Sequence, residues 1–180
     1  MTIITIYPLQ GIDIPGVGAI NLGQPRSAIE KVLGHPGNHS DAKRSFYAAY
    51  EFRIDFDEFD MVEFIEFIFG PFPERTQLSL YGVDPFHIGA ENLVALLSEK
   101  NEGPIDDHEA EYCYGFVNIS VGIWRGLTVK AVEEGITEMK ISGEYEDNRE
   151  SVDEDLEKSR NFWTIGIGKP GYYTENLNAE

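Results

Sequence analysis

Residues 55–60 read DFDEFD and place four carboxylates close together in the chain. Carboxylates at alternating positions are typical of calcium loops, which also require glycine at the sixth position and glutamate at the twelfth. Here the sixth position is Asp60, so the calcium pattern is broken. We predict a solvated turn between two strands. Its carboxylates are candidate contacts for a positively charged protein partner: Asp55, Asp57, Glu58 and Asp60.

A second acidic stretch lies near the C-terminus. Residues 133–160 contain eleven acidic and four basic side chains. Residues 131–139 have a helical pattern that Gly135 weakens. We predict an exposed loop over 142–151 and a short helix over 151–160, with Ser151 as its N-cap and Glu154 three positions later. The carboxylates taken as further candidate contacts for the same partner are Glu144, Glu146 and Asp147.

A glycine pattern, G-x-G-x-x-G at Gly166, Gly168 and Gly171, suggests a phosphate-binding loop. Such a loop requires a helix after it, whose N-terminal amides meet the pyrophosphate. Only nine residues follow Gly171, and Pro170 lies inside the motif. We therefore predict that FWTIGIG (162–168) is a closing strand, that its glycines allow close packing and a terminal turn, and that no nucleotide cofactor binds there.

Other reactive side chains are sparse. The single cysteine, Cys113, lies in a strand-like run and is expected to be a buried, inert thiol. The four histidines are scattered and lack a metal-ligand spacing; they are His35, His39, His87 and His108. No serine lies in a nucleophile elbow. We assign no catalytic residue, no metal ligand and no cofactor, and an enzyme is disfavoured.

The formal net charge is −18. A chain this acidic is repelled by nucleic-acid phosphates and by anionic lipid surfaces, so neither is an expected partner. The same field attracts and steers a basic protein. The N-terminal residues lack the pattern of a signal peptide, and no run of 18 apolar residues occurs, so we expect a cytoplasmic protein.

Periodicity predicts the elements that would position these residues. Phe52, Ile54 and Phe56 alternate with charged residues, as in a half-buried strand, and residues 61–70 are apolar on both faces, as in a central strand. Pro25, an apolar stripe and Gly34 predict a helix over 25–33. The predicted fold class is α+β, with an antiparallel sheet, two related helix–hairpin halves and a few short helices.

The halves are suggested by an internal likeness. Gly11-Ile12-Asp13 matches Gly82-Val83-Asp84, and residues 20–23 (INLG) correspond to residues 86–89 (FHIG). Each pair precedes a predicted helix and then paired strands. We predict one domain over 1–180, with a first repeat over about 1–70, a second over about 76–126, and an acidic segment with the closing strand over 127–180. Chance similarity is the alternative to a true repeat.

The segment GAINLGQPRSAIEKVLGHPG (18–37), a strand followed by one capped helix and a meander, resembles the module of the β-lactamase inhibitor protein. It is similar also to the small lipoprotein of the bacterial outer-membrane barrel-assembly machine. The resemblance covers about 110 residues in two copies. It implies the architecture and a tendency to bind another protein through a sheet surface, while the sequence lacks the disulfides and lipid-anchor cysteine of those exported proteins.

These observations favour a non-catalytic bacterial protein that binds a basic protein partner. The most concrete version is immunity to a cationic toxin, with carboxylates covering a basic active site around an exposed aromatic anchor. Candidate anchors lie in two aromatic clusters, one near residues 64–72 and one at Trp124, Phe162 and Trp163. The alternatives are an enzyme or small-ligand binder with a site between the halves, and a structural or regulatory protein.

Overall fold

The computed structural model describes residues 1–38 and 40–174 and shows an α+β fold, in which four helices accompany two sheets dominated by antiparallel pairing. The predicted fold class is confirmed. His39 lies outside the described residues, as do residues 175–180 at the end of the predicted closing segment. The helices are α1 (Arg26–Leu33), α2 (Ala90–Asn101), α3 (Val129–Ser142) and α4 (Tyr145–Ser159).

Eleven strands make up the two sheets of the described chain. They are β1 (Thr2–Tyr7), β2 (Gly11–Ile14), β3 (Gly18–Asn21), β4 (Arg44–Tyr47), β5 (Phe52–Phe56), β6 (Val62–Phe67), β7 (Thr76–Leu80), β8 (Ile105–Asp106), β9 (Cys113–Phe116), β10 (Val121–Trp124) and β11 (Thr164–Gly168).

The four-stranded sheet has the order β3-β2-β1-β7, and β1 and β7 are its parallel pair. Residues 11–14 form β2, and Gly11 allows this strand to approach β3 closely. A Cβ atom on Gly11 would lie 2.0 Å from the carbonyl oxygen of Ile20.

The seven-stranded sheet is antiparallel throughout, in the order β4-β5-β6-β11-β10-β9-β8. Both hairpins expected from the sequence are present, and β6 is central as predicted. Alternation in β5 turns Phe52, Ile54 and Phe56 into the core, whereas Arg53 and Asp55 lie on the opposite side. We call this opposite side of the seven-stranded sheet the outer face.

The last strand, β11, lies in the middle of this sheet between β6 and β10. It is the closing strand predicted from FWTIGIG. Gly168 ends β11 instead of beginning a helix, so the phosphate-loop geometry is absent from this part of the chain. Gly171 has a φ of +89°, which suits the turn predicted there.

One hydrophobic core joins the two sheets with α1 and α2. It includes Ile4 and Leu78 from the four-stranded sheet, Ile54 and Ile165 from the seven-stranded sheet, and Leu97 from α2. The burial of these side chains fixes the inner face of both sheets, since each fully buried residue of this size stabilises the fold by about 1.5–3 kcal/mol.

Each half of the chain supplies one helix followed by a meander. The first half supplies α1 and then β4, β5 and β6, and the second supplies α2 and then β8, β9 and β10. The predicted helix over 25–33 is confirmed, because α1 begins after Pro25 and ends at Gly34. The internal repeat and its boundaries stay predictions.

The acidic stretch folds differently from our expectation. The predicted loop over 142–151 is wrong, because α4 already begins at Tyr145, and Ser151 lies inside that helix instead of capping it. The break between helices is at Gly143, whose φ of +83° ends α3. Thr128 caps the start of α3 by accepting a hydrogen bond from the Ala131 amide at 3.2 Å. We call residues 129–159 the acidic arm.

Candidate functional site

The turn between β5 and β6, residues 57–61, is held in one shape by Asp57. The Asp57 carboxylate accepts hydrogen bonds from the amides of Phe59 (3.0 Å) and Met61 (2.9 Å) and forms an ion pair with Lys169. The Lys169 ammonium and these two amides keep the pKa of Asp57 below its usual value. Asp57 is therefore engaged within the protein.

Asp60 is engaged as well, by Arg26 at the start of α1. The Arg26 Nε donates to Asp60 Oδ1 at 2.6 Å, and the two terminal nitrogens donate to Ser45 Oγ (3.0 Å) and the Ala42 carbonyl (2.6 Å). The guanidinium also lies 3.9 Å from the centroid of the Phe56 ring. Arg26 thus fastens the turn to both α1 and β4.

Glu58 and Phe59 project from this turn. The side chain of Phe59 is 76% exposed, and Glu58 beside it is also exposed. A ring this exposed is unusual for an aromatic residue, because leaving it in water forgoes the free energy of burial. The turn therefore presents one apolar ring among carboxylates on a rigid support.

Asp55 lies within β5 on the outer face and not at the tip of the turn. The side chain is 21% exposed, and its carboxylate is 3.4 Å from Arg53 Nε, which also lies 3.0 Å from Glu66 Oε2. Burial raises the pKa of both Asp55 and Glu66, and Arg53 partly opposes the change. Asp55 belongs to a three-residue charge network across β5 and β6.

Glu144, Glu146 and Asp147 gather where α3 meets α4, at the far end of the acidic arm. All three are exposed. Ile141, one turn earlier, is 83% exposed. The arm buries little of its surface: its buried residues are Val132, Val152 and Ser159. Its carboxylates are consequently well hydrated and act on a partner mainly through the electrostatic field.

The structure does not bring the two predicted acidic groups together. Lys169, just after β11, binds Asp57, so the β5–β6 turn lies at the end of the sheet where β11 finishes. The arm connects Trp124 to Thr164, which pair at the opposite end, where β11 begins. The two groups therefore face different regions of solvent.

A cleft of about 800 Å³ lies between α2, the start of α3 and the β10 end of the sheet. Tyr114, Arg125 and Phe162 line it, and Arg125 donates hydrogen bonds to the carbonyls of Glu111 (2.6 Å) and Ser159 (2.9 Å). This cleft lies between the second half and the acidic arm, whereas the sequence suggested a site between the two halves.

The remaining reactive side chains among the described residues are the cysteine and three of the histidines. Cys113 is half-buried instead of fully buried as predicted, and burial raises the pKa of its thiol. His87 Nδ1 lies 2.9 Å from Asp84 Oδ2 on an exposed loop. Within residues 1–38 and 40–174, no group of three His, Cys, Asp or Glu side chains is placed to hold a metal ion. The helices of the described chain are too short or too polar to cross a membrane.

Two residues of the turn site were missed by sequence reasoning. Phe59 received no role from the sequence, although an aromatic residue inside an acidic turn is itself a signal of exposure. Arg26 was missed because its partner, Asp60, is 34 positions away. In the predicted aromatic clusters, Phe64, Phe67 and Phe162 are buried, whereas three rings are exposed as an anchor requires: Phe69, Phe72 and Trp124. Comparisons with protein-family models, curated proteins and solved structures give no match for this chain.

Proposed function

We propose that this protein is a non-catalytic binding module for a basic protein, with the β5–β6 turn as its main contact. The observation that carries the proposal is Phe59, an aromatic ring 76% exposed at the tip of a rigid acidic turn. Aromatic residues that fill a partner's pocket supply much of the affinity in protein complexes. Glu58 beside Phe59 supplies a carboxylate for a partner's lysine or arginine.

The rigidity of the turn supports this role. Asp57 and Asp60 form ion pairs with Lys169 and Arg26. In this proposal, these two carboxylates therefore shape the turn and do not contact the partner directly. A contact surface that is already ordered loses little conformational entropy on binding. The predicted set of four carboxylates thus becomes two that shape the turn, one in the sheet network, Asp55, and one contact, Glu58.

The acidic arm supports the same function at longer range. Its hydrated carboxylates, with Glu144, Glu146 and Asp147 at the tip, strengthen the negative field that draws a basic protein toward the surface. Such charges change the association rate more than the lifetime of the complex. In the most concrete version, the partner is a basic toxin, such as a nuclease, whose active site the turn covers in the bacterial cytoplasm.

The test begins by identifying the partner. The intact chain is immobilised, a lysate of the native host is passed over it at low salt, and retained proteins are eluted with rising salt. We expect one stoichiometric basic protein. Its dissociation constant is then measured for the wild type and for Phe59→Ala, which should bind at least about tenfold more weakly through faster dissociation.

The matched control is Phe72→Ala, which removes another half-exposed ring, outside the turn. This control should bind like the wild type. The proposal fails if no basic protein is retained at low salt, or if the two variants weaken the complex equally.

The cleft beside α2 favours a second candidate function, binding of a small ligand. Its volume of about 800 Å³ and its mixture of rings with Arg125 suit a small polar molecule. A thermal-shift screen of small carboxylic acids and phosphates tests it. A compound that raises the unfolding midpoint of the wild type, but not of Ala95→Phe, which fills the cleft, supports ligand binding; no such compound contradicts it.

A further inference from the structure

Three glycines form the floor of a trench on the outer face. Gly115, Gly122 and Gly166 pair directly with one another across β9, β10 and β11. Their row continues to Glu66 on β6 at one end and to Asp106 on β8 at the other. Because glycine has no side chain, this stretch of the sheet is open down to the backbone.

Aromatic rings fill the trench. A Cβ atom on Gly122 would lie 2.0 Å from the Tyr173 hydroxyl oxygen, and one on Gly115 would lie 3.0 Å from Tyr173 Cδ1. At Gly166 the ring of Phe64 occupies the corresponding space, at 2.1 Å. The Tyr173 ring therefore lies along the row, with its hydroxyl over β10. The space over Gly115 and Gly122 thus holds one phenol ring, beside the Phe64 ring over Gly166.

Tyr173 belongs to the segment 169–174, which packs on the outer face through its side chains. The first residue of this segment is fixed, because the Lys169 carbonyl accepts a hydrogen bond from Ser120 Oγ at 2.8 Å. After Lys169, the backbone amides of Tyr172 and Thr174 donate hydrogen bonds to the carbonyls of Lys169 and Gly171. Both acceptors belong to the segment itself and not to the sheet. Tyr172 stacks on the Phe64 ring, with 4.6 Å between centroids. Beyond Lys169, therefore, side-chain packing is what holds Tyr172 and Tyr173 on the outer face, and a competing ring can replace such packing.

Three carboxylates and one guanidinium act on the Tyr172 hydroxyl beside the trench, so these surroundings are negative on balance; the groups are Asp55, Glu63, Glu66 and Arg53. Burial raises the pKa of the Tyr172 hydroxyl, and the nearby carboxylates of Asp55 and Glu63 raise it further. Glu66 lies at the end of the glycine row. When a partner's tyrosine enters the trench, a lysine or arginine next to that tyrosine would contact these carboxylates.

We propose that the glycine trench is a docking site for a tyrosine side chain in a basic segment of a partner protein, and that Tyr173 occupies it in the free protein as an intramolecular substitute. The partner's tyrosine displaces Tyr173, and the flanking cation contacts the carboxylates beside Phe64. This site is formed by β9, β10 and β11 and does not include Phe59, so it does not depend on the turn as the main contact.

The test uses the full chain and the peptide acetyl-Lys-Tyr-Lys-amide, with binding followed by NMR shifts of the Gly115 and Gly122 amides. In Tyr173→Ala the trench is open, and we expect saturable shifts at both amides with a dissociation constant at least tenfold lower than in the wild type. The peptides acetyl-Lys-Leu-Lys-amide and acetyl-Glu-Tyr-Glu-amide should both bind more weakly, because the first lacks the phenol and the second carries the wrong charge.

Blocking variants complete the test. Tyr173→Ala combined with Gly122→Ala places a methyl group on the trench floor and should lower affinity for the tyrosine peptide at least tenfold. Tyr173→Ala with Gly115→Ala gives the same readout if the first combination does not fold. Equal binding to blocked and open trenches, or no shift at millimolar peptide, overturns the proposal. Phe59→Ala should leave these shifts unchanged, which separates this result from the test of the turn.

Discussion

Glu51 shows how one buried carboxylate connects distant parts of the chain. It is only 5% exposed, and its oxygens accept hydrogen bonds from the amides of Glu74 (2.7 Å), Arg75 (3.1 Å) and Thr76 (2.9 Å). Burial by itself raises the pKa of Glu51, but the hydrogen bonds outweigh it, and the net pKa is below the usual value. Glu51 therefore ties the β4–β5 turn to the start of β7 in its charged form.

Replacing Glu51 with glutamine should lower the free energy of unfolding by about 1–3 kcal/mol at pH 7, because hydrogen bonds to a buried charge are lost. Since the folded-state pKa is lowered, the contribution of the carboxylate is fully present above the unfolded-state pKa. It is lost as pH falls through the folded-state value. Urea unfolding at pH 7 and at pH 3 should show the difference from wild type shrinking in acid.

Glu74→Gln is the matched control for this charge, because Glu74 is exposed in the same region. It should change stability little at either pH. A difference between Glu51→Gln and wild type that is equally large at pH 7 and pH 3 would contradict the assigned role.

The sequence could identify the carboxylates at 55–60 but not divide them by role. Alternation placed Asp55 opposite the buried positions of β5, which the structure confirms. Whether Asp57 and Asp60 are available to a partner depends on Lys169 and Arg26, which are 112 and 34 positions away. Side-chain pairing over such separations is set by the fold, so local pattern cannot reveal it.

At the scale of elements, the acidic arm is an insertion between two neighbouring strands. Trp163 donates a backbone hydrogen bond to the Trp124 carbonyl at 2.8 Å, so the chain returns to the place where it left the sheet. The sequence predicted parts of both helices, over 131–139 and 151–160, but assigned the first part of α4 to a loop because residues 145–150 are mostly polar. Each helix gains its stability mainly from its neighbour, which local propensity does not include.

Because the arm leaves and rejoins the sheet at adjacent residues, a four-residue Gly/Ser turn should be able to replace residues 129–158. The main apolar losses are Val132 and Val152, so we expect unfolding to stay cooperative, with a decrease of no more than about 6 kcal/mol in the free energy of unfolding. Circular dichroism and urea unfolding measure both effects. A variant that no longer unfolds cooperatively would show that the arm is part of the core.

The pairing of β2 with β3 depends on Gly11. Its φ is +146°, and a Cβ atom there would collide with the Ile20 carbonyl. Gly11→Ala should therefore destabilise the protein by more than about 3 kcal/mol, whereas a positive φ alone is worth about 1 kcal/mol. Thermal unfolding of Gly11→Ala and of a control glycine variant measures the two losses.

The control is Gly16→Ala, because Gly16 also has a positive φ, +80°, but nothing within 4 Å of the added methyl group. The free energy of unfolding of Gly16→Ala should fall by only about 1 kcal/mol. Similar losses in the two variants would show that backbone conformation, and not the close approach of β2 to β3, sets the requirement for glycine.

At the scale of the whole molecule, the net charge of −18 is spread over both ends of the sheet. With the partner from the pull-down, association should slow steeply as salt rises. Replacing Glu144, Glu146 and Asp147 with their amides should reduce the association rate and its salt dependence while leaving dissociation nearly unchanged. Stopped-flow kinetics measure the two rates separately.

The control for this variant removes three negative charges elsewhere, by replacing Glu30, Glu74 and Glu102 with glutamine. A smaller effect on the association rate than in the arm variant supports local steering by the arm. An equal effect would mean that only the total charge matters.

The fold class could be predicted because it depends on local periodicity, which was clear in β5, β6 and α1. The division into two sheets could not. The four-stranded sheet is completed by the parallel pairing of Thr2–Ile6 with Thr76–Leu80, across more than 70 positions. The sequence of neither strand identifies the strand with which it pairs, and a parallel pair gives no turn signal between its strands.

The central position of β11 has a consequence for synthesis in the cell. Until the chain has been made as far as Gly168, β6 and β10 each have an unpaired edge, and the meanders they belong to are two separate sheets. Unpaired edges invite pairing with other chains. A ribosome that stalls before residue 164 would therefore release a product prone to aggregate, whereas synthesis of β11 joins the two meanders into one sheet.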